Sequence, residues 1–376
     1  MKRELDWIQA LRGIAALLVV ICHARVVLRG TPYEAFAERA MTPGALGVDL
    51  FFMISGFIMT YTTAHNDGSI RYTAAFLIKR LARIWPVYVA AVIANLMLSP
   101  THFGIVLSSW DLSRLYLKSL MFLPNDATKP PFFDMPYAVG WTLNFEIYFY
   151  LVFAVSLLFG KLRWVALAVW FIFTLIILPI HMTGHAGLNI QVTNGFSRAY
   201  FVMVTNPIIW EFAIGAAIGL LYNSDIALPK SVATYALLAA SITFALWYDF
   251  SWHGTFNGLD QWGVPLPFML IVMALASKRI ELKVPRMLVW LGGVSYSLYL
   301  FHPIAADGLE MAILTAGHAG FIHTWWGSLS IILFAVAVAY VANKLFEEGL
   351  SKWVRKWLLH FLDLFNRHPE IKGVRG

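Results

Sequence analysis

Apolar residues in this chain come in long blocks rather than in the three-and-four rhythm of a helix with one wet face. Crossing a bilayer core of about 30 Å takes roughly 20 such residues. Blocks near that length lie at 7–28, 44–64, 84–99, 139–160, 163–181, 203–222, 231–248, 262–277, 287–309 and 324–345, with 84–99 and 262–277 the shortest. The pattern predicts an all-α integral membrane protein of about ten transmembrane helices. No repeat of fixed period interrupts it, and no low-complexity linker separates two domains.

Charge orients the blocks, because cytoplasmic loops accumulate Lys and Arg. With the N-terminus inside, alternation places 20 of the 28 basic residues in inner segments and 6 in outer loops; Arg12 and Arg25 fall within the first block. Both termini are therefore expected in the cytoplasm. The N-terminal run superficially resembles a signal peptide, but Arg12 interrupts it and it continues through Val26, Val27 and Leu28, so it reads as a retained helix. Beyond Glu347 the pattern changes. Trp353, Trp357, Phe361 and Phe365 repeat every four residues among Lys352, Arg355, Lys356 and Arg367, which suits a helix lying in the inner interface as an anchor. The chain thus divides into a membrane domain, 1–346, and a basic amphipathic cytoplasmic tail, 347–376.

Composition agrees. Hydrophobic residues make up 59% and charged residues 13% of 376, with a mean hydropathy of +0.68. That is too little charge to keep a soluble surface wet. A single cysteine, Cys22, excludes internal disulfides and Cys-ligated metal sites, and no metal is expected. The net charge of +7 has no accompanying nucleic-acid motif, so nucleic acid is not an expected partner.

Ionisable side chains inside the blocks are costly and point to function. Arg12 and His23 are eleven residues apart, three helical turns plus about 20°, so both project from one face about 16 Å apart along the axis. The competing reading has Arg12 snorkelling and His23 bonded to a neighbouring helix. Asp49 opens the second block at a depth comparable with His23, where it either orients the imidazole or caps a helix N-terminus. Lys79, Arg80 and Arg83 cluster at the inner face; guanidinium forks suit phosphate oxygens, although positive-inside charge alone also accounts for them. Glu146 lies just inside the outer end of the fourth block, after Trp141. Ser295 and Tyr299 are four apart on one face, and His302 lies further along that helix. Glu211 precedes Gly215 and Gly219, a spacing that predicts close helix packing. The outer stretches 100–138 and 249–262 hold Trp110, Phe132, Phe133, Tyr137, Trp252, His253, Asp260 and Trp262, which suit either sugar binding or an interfacial aromatic belt.

Five of these elements, in order from residue 12 to 303, resemble the acyltransferase 3 family of multi-pass membrane proteins, which includes exopolysaccharide and O-antigen O-acetyltransferases. They are Arg12-X10-His23, the Gly47-Val48-X-Leu50-Phe51-Phe52-X-X-Ser55-Gly56-Phe57 run, Arg80-X-X-Arg83, Glu146-X-X-Phe149-Tyr150, and Ser295-Tyr296-Ser297-Leu298-Tyr299-Leu300-X-His302-Pro303. Two departures are Gly349, where relatives often have proline after the Glu pair, and the lack of the soluble hydrolase-like domain some relatives carry, so that acceptor processing of that kind would need a partner.

The resemblance implies an enzyme of the plasma (bacterial inner) membrane. It would move an acyl group, acetyl by preference, from cytoplasmic acyl-CoA to a hydroxyl of an extracytoplasmic polysaccharide or lipid-linked glycan. On that reading His23 is the general base, with Asp49 or Glu146 orienting it, and a covalent acyl-histidine stays open as a variant. Arg12, Lys79, Arg80 and Arg83 would hold the donor, acetyl-CoA, while Ser55, Trp141, Ser295 and Tyr299 would contact substrate. Partners would be membrane lipids, acyl-CoA, the glycan and polysaccharide biosynthesis or export proteins. Two rival classes stay open: a transporter or flippase of an acylated glycan, and a non-catalytic subunit of a polysaccharide synthase.

Overall fold

The computed structural model describes residues 5–251 and 256–365, and among them every regular element is helical. Lys2, Arg3, Trp252, His253, Arg367, Lys372 and Arg375 lie outside the described residues. The helices used below are α1 (Asp6–Ala24), α2 (Gly47–Thr62), α3 (Ile70–Met97), α4 (Trp141–Leu157), α5 (Arg163–Ile172), α6 (Ile209–Asn223), α7 (Val232–Phe250), α8 (Leu266–Ser277), α9 (Arg286–Gly293), α10 (Ser295–Thr315), α11 (Trp325–Ala342) and α12 (Lys352–Phe365).

The chain is an all-α, multi-span membrane protein. Seven helical stretches are long and apolar enough to cross a bilayer, and two bent pairs bring the number to nine among the described residues. Three of the expected blocks account for the difference from about ten. The block 84–99 is the second half of α3, which starts at Ile70, where Ser69 Oγ accepts a hydrogen bond from the Tyr72 N–H at 3.0 Å, and turns by 110° into Pro100–Ser108. The block 262–277 forms α8, only 12 residues long. The block 287–309 is itself broken, with α9 and α10 meeting at 72°.

Helix α1 sits at the centre, packed by α2, α9, α10 and α11, and Ala15 and Ala16 on it are fully buried. Where lipid removes the hydrophobic drive between helices, small residues let backbones approach and gain dispersion contact. The α2–α6 pair uses this most closely. A methyl group at Gly56 would lie 2.1 Å from the Phe212 carbonyl oxygen, and one at Gly215 only 1.9 Å from that of Met53. The glycine spacing after Glu211 therefore does mark close packing. Aromatic rings fill the adjoining space, with Phe145, Phe149 and Phe153 of α4 buried against neighbours that include Phe212.

At the C-terminal end no break separates membrane domain from tail. Helix α11 runs through π-helical turns, Asn343–Ser351, directly into α12. Arg71 of α3 holds Asp363 of α12 in an ion pair at 2.7 Å, while Trp353, Trp357 and Phe361 are exposed on α12. The residue boundary read at 346/347 falls inside the π-helical turns.

Candidate active site

Two cavities meet inside the bundle, and both touch α1; they are called inner and outer after the orientation that the Lys/Arg distribution predicts. The inner one is lined by Arg12 of α1, Ser55 of α2, Arg80 and Arg83 of α3, and Glu146 and Tyr150 of α4, closed by Tyr296 and Tyr299 of α10. Its free volume is 90 Å³, room for about three waters at roughly 30 Å³ each. Three guanidiniums face one carboxylate there, an excess of positive charge that is expensive in a membrane interior unless an anion enters. Arg12 Nη1 donates to Gln9 Oε1 at 2.8 Å. Arg80 Nη2 donates to Thr62 Oγ1 at 3.2 Å, and its guanidinium lies over the rings of Phe76 and Tyr150. Glu146 accepts from the Tyr150 hydroxyl and, at 3.5 Å, from Ser55 Oγ.

The outer cavity, 400 Å³, holds His23 and is walled by Phe132, Trp141, Phe256 and Trp262, with Arg25, Thr42, Asp134 and Asn257 as polar groups; Arg25 is paired with Glu38 at 2.9 Å. The His23 ring is exposed to it. Its Nδ1 lies 2.9 Å from the Val19 carbonyl oxygen. A carbonyl can only accept, so Nδ1 carries the hydrogen, and in the neutral ring Nε2 keeps a free lone pair. Behind it His302, 1% exposed, meets the His23 ring edge-to-face at 4.8 Å between centroids. Val48 and Tyr299 border both cavities and form the wall between them.

Eight of the sequence-predicted residues come together here: His23 and Trp141 in the outer cavity, Arg12, Ser55, Arg80, Arg83 and Glu146 in the inner one, and Tyr299 between. Three others sit elsewhere. Lys79 faces a separate groove at the inner surface, which Arg83 shares. Ser295 is fully buried with its hydroxyl donating to the Gly292 carbonyl at 2.9 Å, and it lines neither cavity. Asp49, 0% exposed, accepts from Asn257 Nδ2 and from the Gly258 N–H, each at 2.6 Å. Neither Asp49 nor Glu146 makes a hydrogen bond or ion pair with His23; the ring is oriented by Val19 and backed by His302. Asp49 instead ties the outer loop to α2, which brings Phe256, Asn257 and Trp262 to the His23 pocket. Tyr299 donates its hydroxyl hydrogen to the Val139 carbonyl at 3.0 Å and accepts from Thr142 Oγ1 at 2.9 Å, so it serves as wall.

Sequence reasoning missed Asn257 and Phe256. No local pattern marks them, because their role depends on a contact with residues about 210 positions earlier. Tyr150 and His302 were visible as motif letters without an assigned part.

The polytopic helical bundle thus holds a cation-lined cavity on one side of a wall and an imidazole with a free Nε2 on the other. The acyltransferase domain pattern matches residues 5–344, and the chain belongs to the acyltransferase 3 family; it is a multi-pass membrane acyltransferase of the inner membrane. It is 30% identical over 299 residues to the exopolysaccharide production protein ExoZ of Rhizobium meliloti (strain 1021), covering 73% of this chain and 81% of that one. It is 23% identical over 374 residues to the acyltransferase MdmB of Streptomyces mycarofaciens, covering 89% and 88%. No solved structure matches. Among the described residues no group of His, Cys, Asp or Glu is arranged to hold a metal ion.

Proposed function

We propose that this protein is an O-acyltransferase that carries an acyl group, acetyl by preference, from cytoplasmic acyl-CoA to a hydroxyl of an extracytoplasmic polysaccharide or lipid-linked glycan. The observation that carries the reading is the pair of cavities sharing the Val48–Tyr299 wall. One suits a polyanion with a narrow arm, and the other suits a neutral ring flanked by aromatic faces.

The donor arm enters past Arg83, which borders both the inner groove and the inner cavity, and runs along the face of α1 that bears Arg12. With about 90 Å³ free, entry requires side chains to part. Its thioester then reaches the wall. A sugar hydroxyl in the outer cavity gives its proton to His23 Nε2, and its oxygen forms the new bond to the thioester carbonyl carbon. The carbon–sulfur bond breaks, and the imidazolium returns the proton to the leaving sulfur. Val19 holds the productive tautomer throughout. Glu146 offsets part of the arginine charge and, by accepting from Ser55 Oγ, ties α4 to α2 at the cavity. Asp49 positions the acceptor loop. Lys79, with Arg83, meets the donor at the inner surface, and Trp141 offers a ring face to the sugar.

Purified full-length protein, acetyl-CoA and a lipid-linked glycan test the reading. An acetylated glycan by mass spectrometry is expected; free CoA without acylated acceptor, or neither, would overturn it. Reporter fusions at residues 125 and 280 should report outside and inside respectively. The opposite result would exchange donor and acceptor sides.

A further inference from the structure

The groove at the inner surface holds more than the two basic residues of α3. It has a volume of 440 Å³; Lys344, Glu347 and Glu348 line it, and so do four further cations, Lys79 and Arg83 of α3 and Lys352 and Arg355 of α12, the tail helix. None of these four makes an ion pair among the described residues. The nearby acids are otherwise engaged. Glu348 pairs with Lys344 at 2.9 Å, and Glu347 Oε1 accepts from the Ser297 N–H at 3.0 Å and from Ser297 Oγ at 2.5 Å. Unpaired like charges converging on one groove repel each other, and the arrangement is favourable only when an anion of matching charge binds.

A second observation points the same way. Ser351 lines the groove and is 5% exposed, yet its hydroxyl has no hydrogen-bond partner. A buried polar group without a partner costs free energy and calls for an explanation such as a missing ligand. The rim carries Trp290 and Tyr340, whose rings pack 6.2 Å apart, with Lys344 Nζ over the Tyr340 ring. The cause is local. The π-helical turns Asn343–Ser351 reset the helical phase between α11 and α12, and such turns recur at functional sites. With the phase reset, Lys352 and Arg355 point at α3.

We propose that this groove binds the phosphorylated nucleotide end of the acyl-thioester donor, and that the tail helix supplies two of its five cations. This rests on the donor reading above, which already brings the donor to Lys79 and Arg83, and adds the tail helix to that site. The tail is then part of the donor site as well as an amphipathic anchor. The same phosphate chemistry is offered by an anionic lipid headgroup, so the experiment separates the two sources.

Full-length protein in vesicles is assayed with acetyl-CoA and with S-acetylpantetheine, which lacks the nucleotide. Lys352→Ala combined with Arg355→Ala should raise KM for acetyl-CoA about ten- to a hundredfold, the loss expected of charge-assisted contacts, with kcat retained and KM for S-acetylpantetheine unchanged. Lys356→Ala, which removes a charge of the same helix that does not line the groove, should change neither. Arg355→Gln alone, on an exposed side chain, keeps the test valid if the double variant does not fold; it should raise KM for acetyl-CoA in the same selective way. Equal effects on both donors, or none on either, would overturn the proposal. So would an effect confined to vesicles containing phosphatidylglycerol and absent from phosphatidylcholine vesicles, which would make the occupant a lipid headgroup. Direct binding of CoA separates this proposal from the donor reading. Wild-type binding that the double variant loses, without acyl transfer from acetyl-CoA, would uphold the groove and overturn the donor reading.

Discussion

The inner and outer halves of the bundle solve opposite problems with the same helices. Below the Val48–Tyr299 wall the lining is cationic, with Arg12, Arg80 and Arg83 around Glu146. Above it the lining is aromatic and nearly neutral, with His23 among Phe132, Trp141, Phe256 and Trp262. A polyanion is held by fixed charge in a low dielectric, where each contact is strong and the empty site is costly. A neutral sugar is held by flat apolar faces and a few polar groups that set its orientation. Helix α1 belongs to both halves, and its Arg12 and His23 report the division on one helical face. On the proposed function, one membrane helix serves two substrates of different polarity because its polar residues are spaced by about whole turns.

That comparison can be broken in several ways, beginning with the largest effect. His23→Ala should lower acyl transfer by about 10²–10⁴ while CoA binding survives, since the arginines lie on the other side of the wall. Near-wild-type transfer would remove His23 as base and pass that role to another residue. In the wild type, transfer should also fall as pH drops through the imidazole range, because a protonated ring cannot accept the hydroxyl proton; a flat pH–rate profile would count against the same role.

Next comes Arg83→Ala, which should weaken acyl-CoA binding about ten- to a hundredfold and leave KM for the acceptor unchanged. If both substrates were affected equally, the two halves would not be separate sites. Asp49→Ala makes the reverse test. It leaves the Gly258 N–H without its acceptor and Asn257 Nδ2 with only the Ala45 carbonyl, so the outer loop loosens. KM for the acceptor should rise about tenfold or more, at roughly 1.5 kcal/mol or more for contacts to a charged group, while donor affinity holds. The smallest effect is expected of Phe132→Ala, which removes one aromatic face. A rise of about two- to tenfold in acceptor KM corresponds to roughly 0.5–1.5 kcal/mol.

Much of the fold and part of the site were legible along the chain. Asp49 shows where legibility stopped. Its depth matched that of His23, which suggested a pair; depth along two helices says nothing about rotation around them, and the carboxylate faces Asn257 and Gly258 instead. Lys79, Arg80 and Arg83 show the same limit. Four residues on one helix held them together as a phosphate cluster, yet neighbouring α4 and α12 draw Arg80 into the cavity and Lys79 into the groove, with Arg83 shared between them. The tail misled in the opposite sense. Its exposed tryptophans fit an anchor, while Lys352 and Arg355 turn inward through π-helical turns that sequence periodicity does not reveal.

The sequence by itself determined that the chain lies in a membrane as helices, and that Arg12 and His23 share a face, because hydropathy and helical phase are local properties of consecutive residues. It also carried the family, through five short elements in order. Only the tertiary structure decided which carboxylate faces which partner, that two cavities meet at Val48 and Tyr299, and that the last helix closes the inner groove. Those facts depend on how helices rotate and cross when Gly56, Gly215 and their neighbours bring backbones into contact, and on a loop tied to a helix some 210 residues away in the chain. Packing between distant segments sets them, and no window along the chain contains both sides of such a contact.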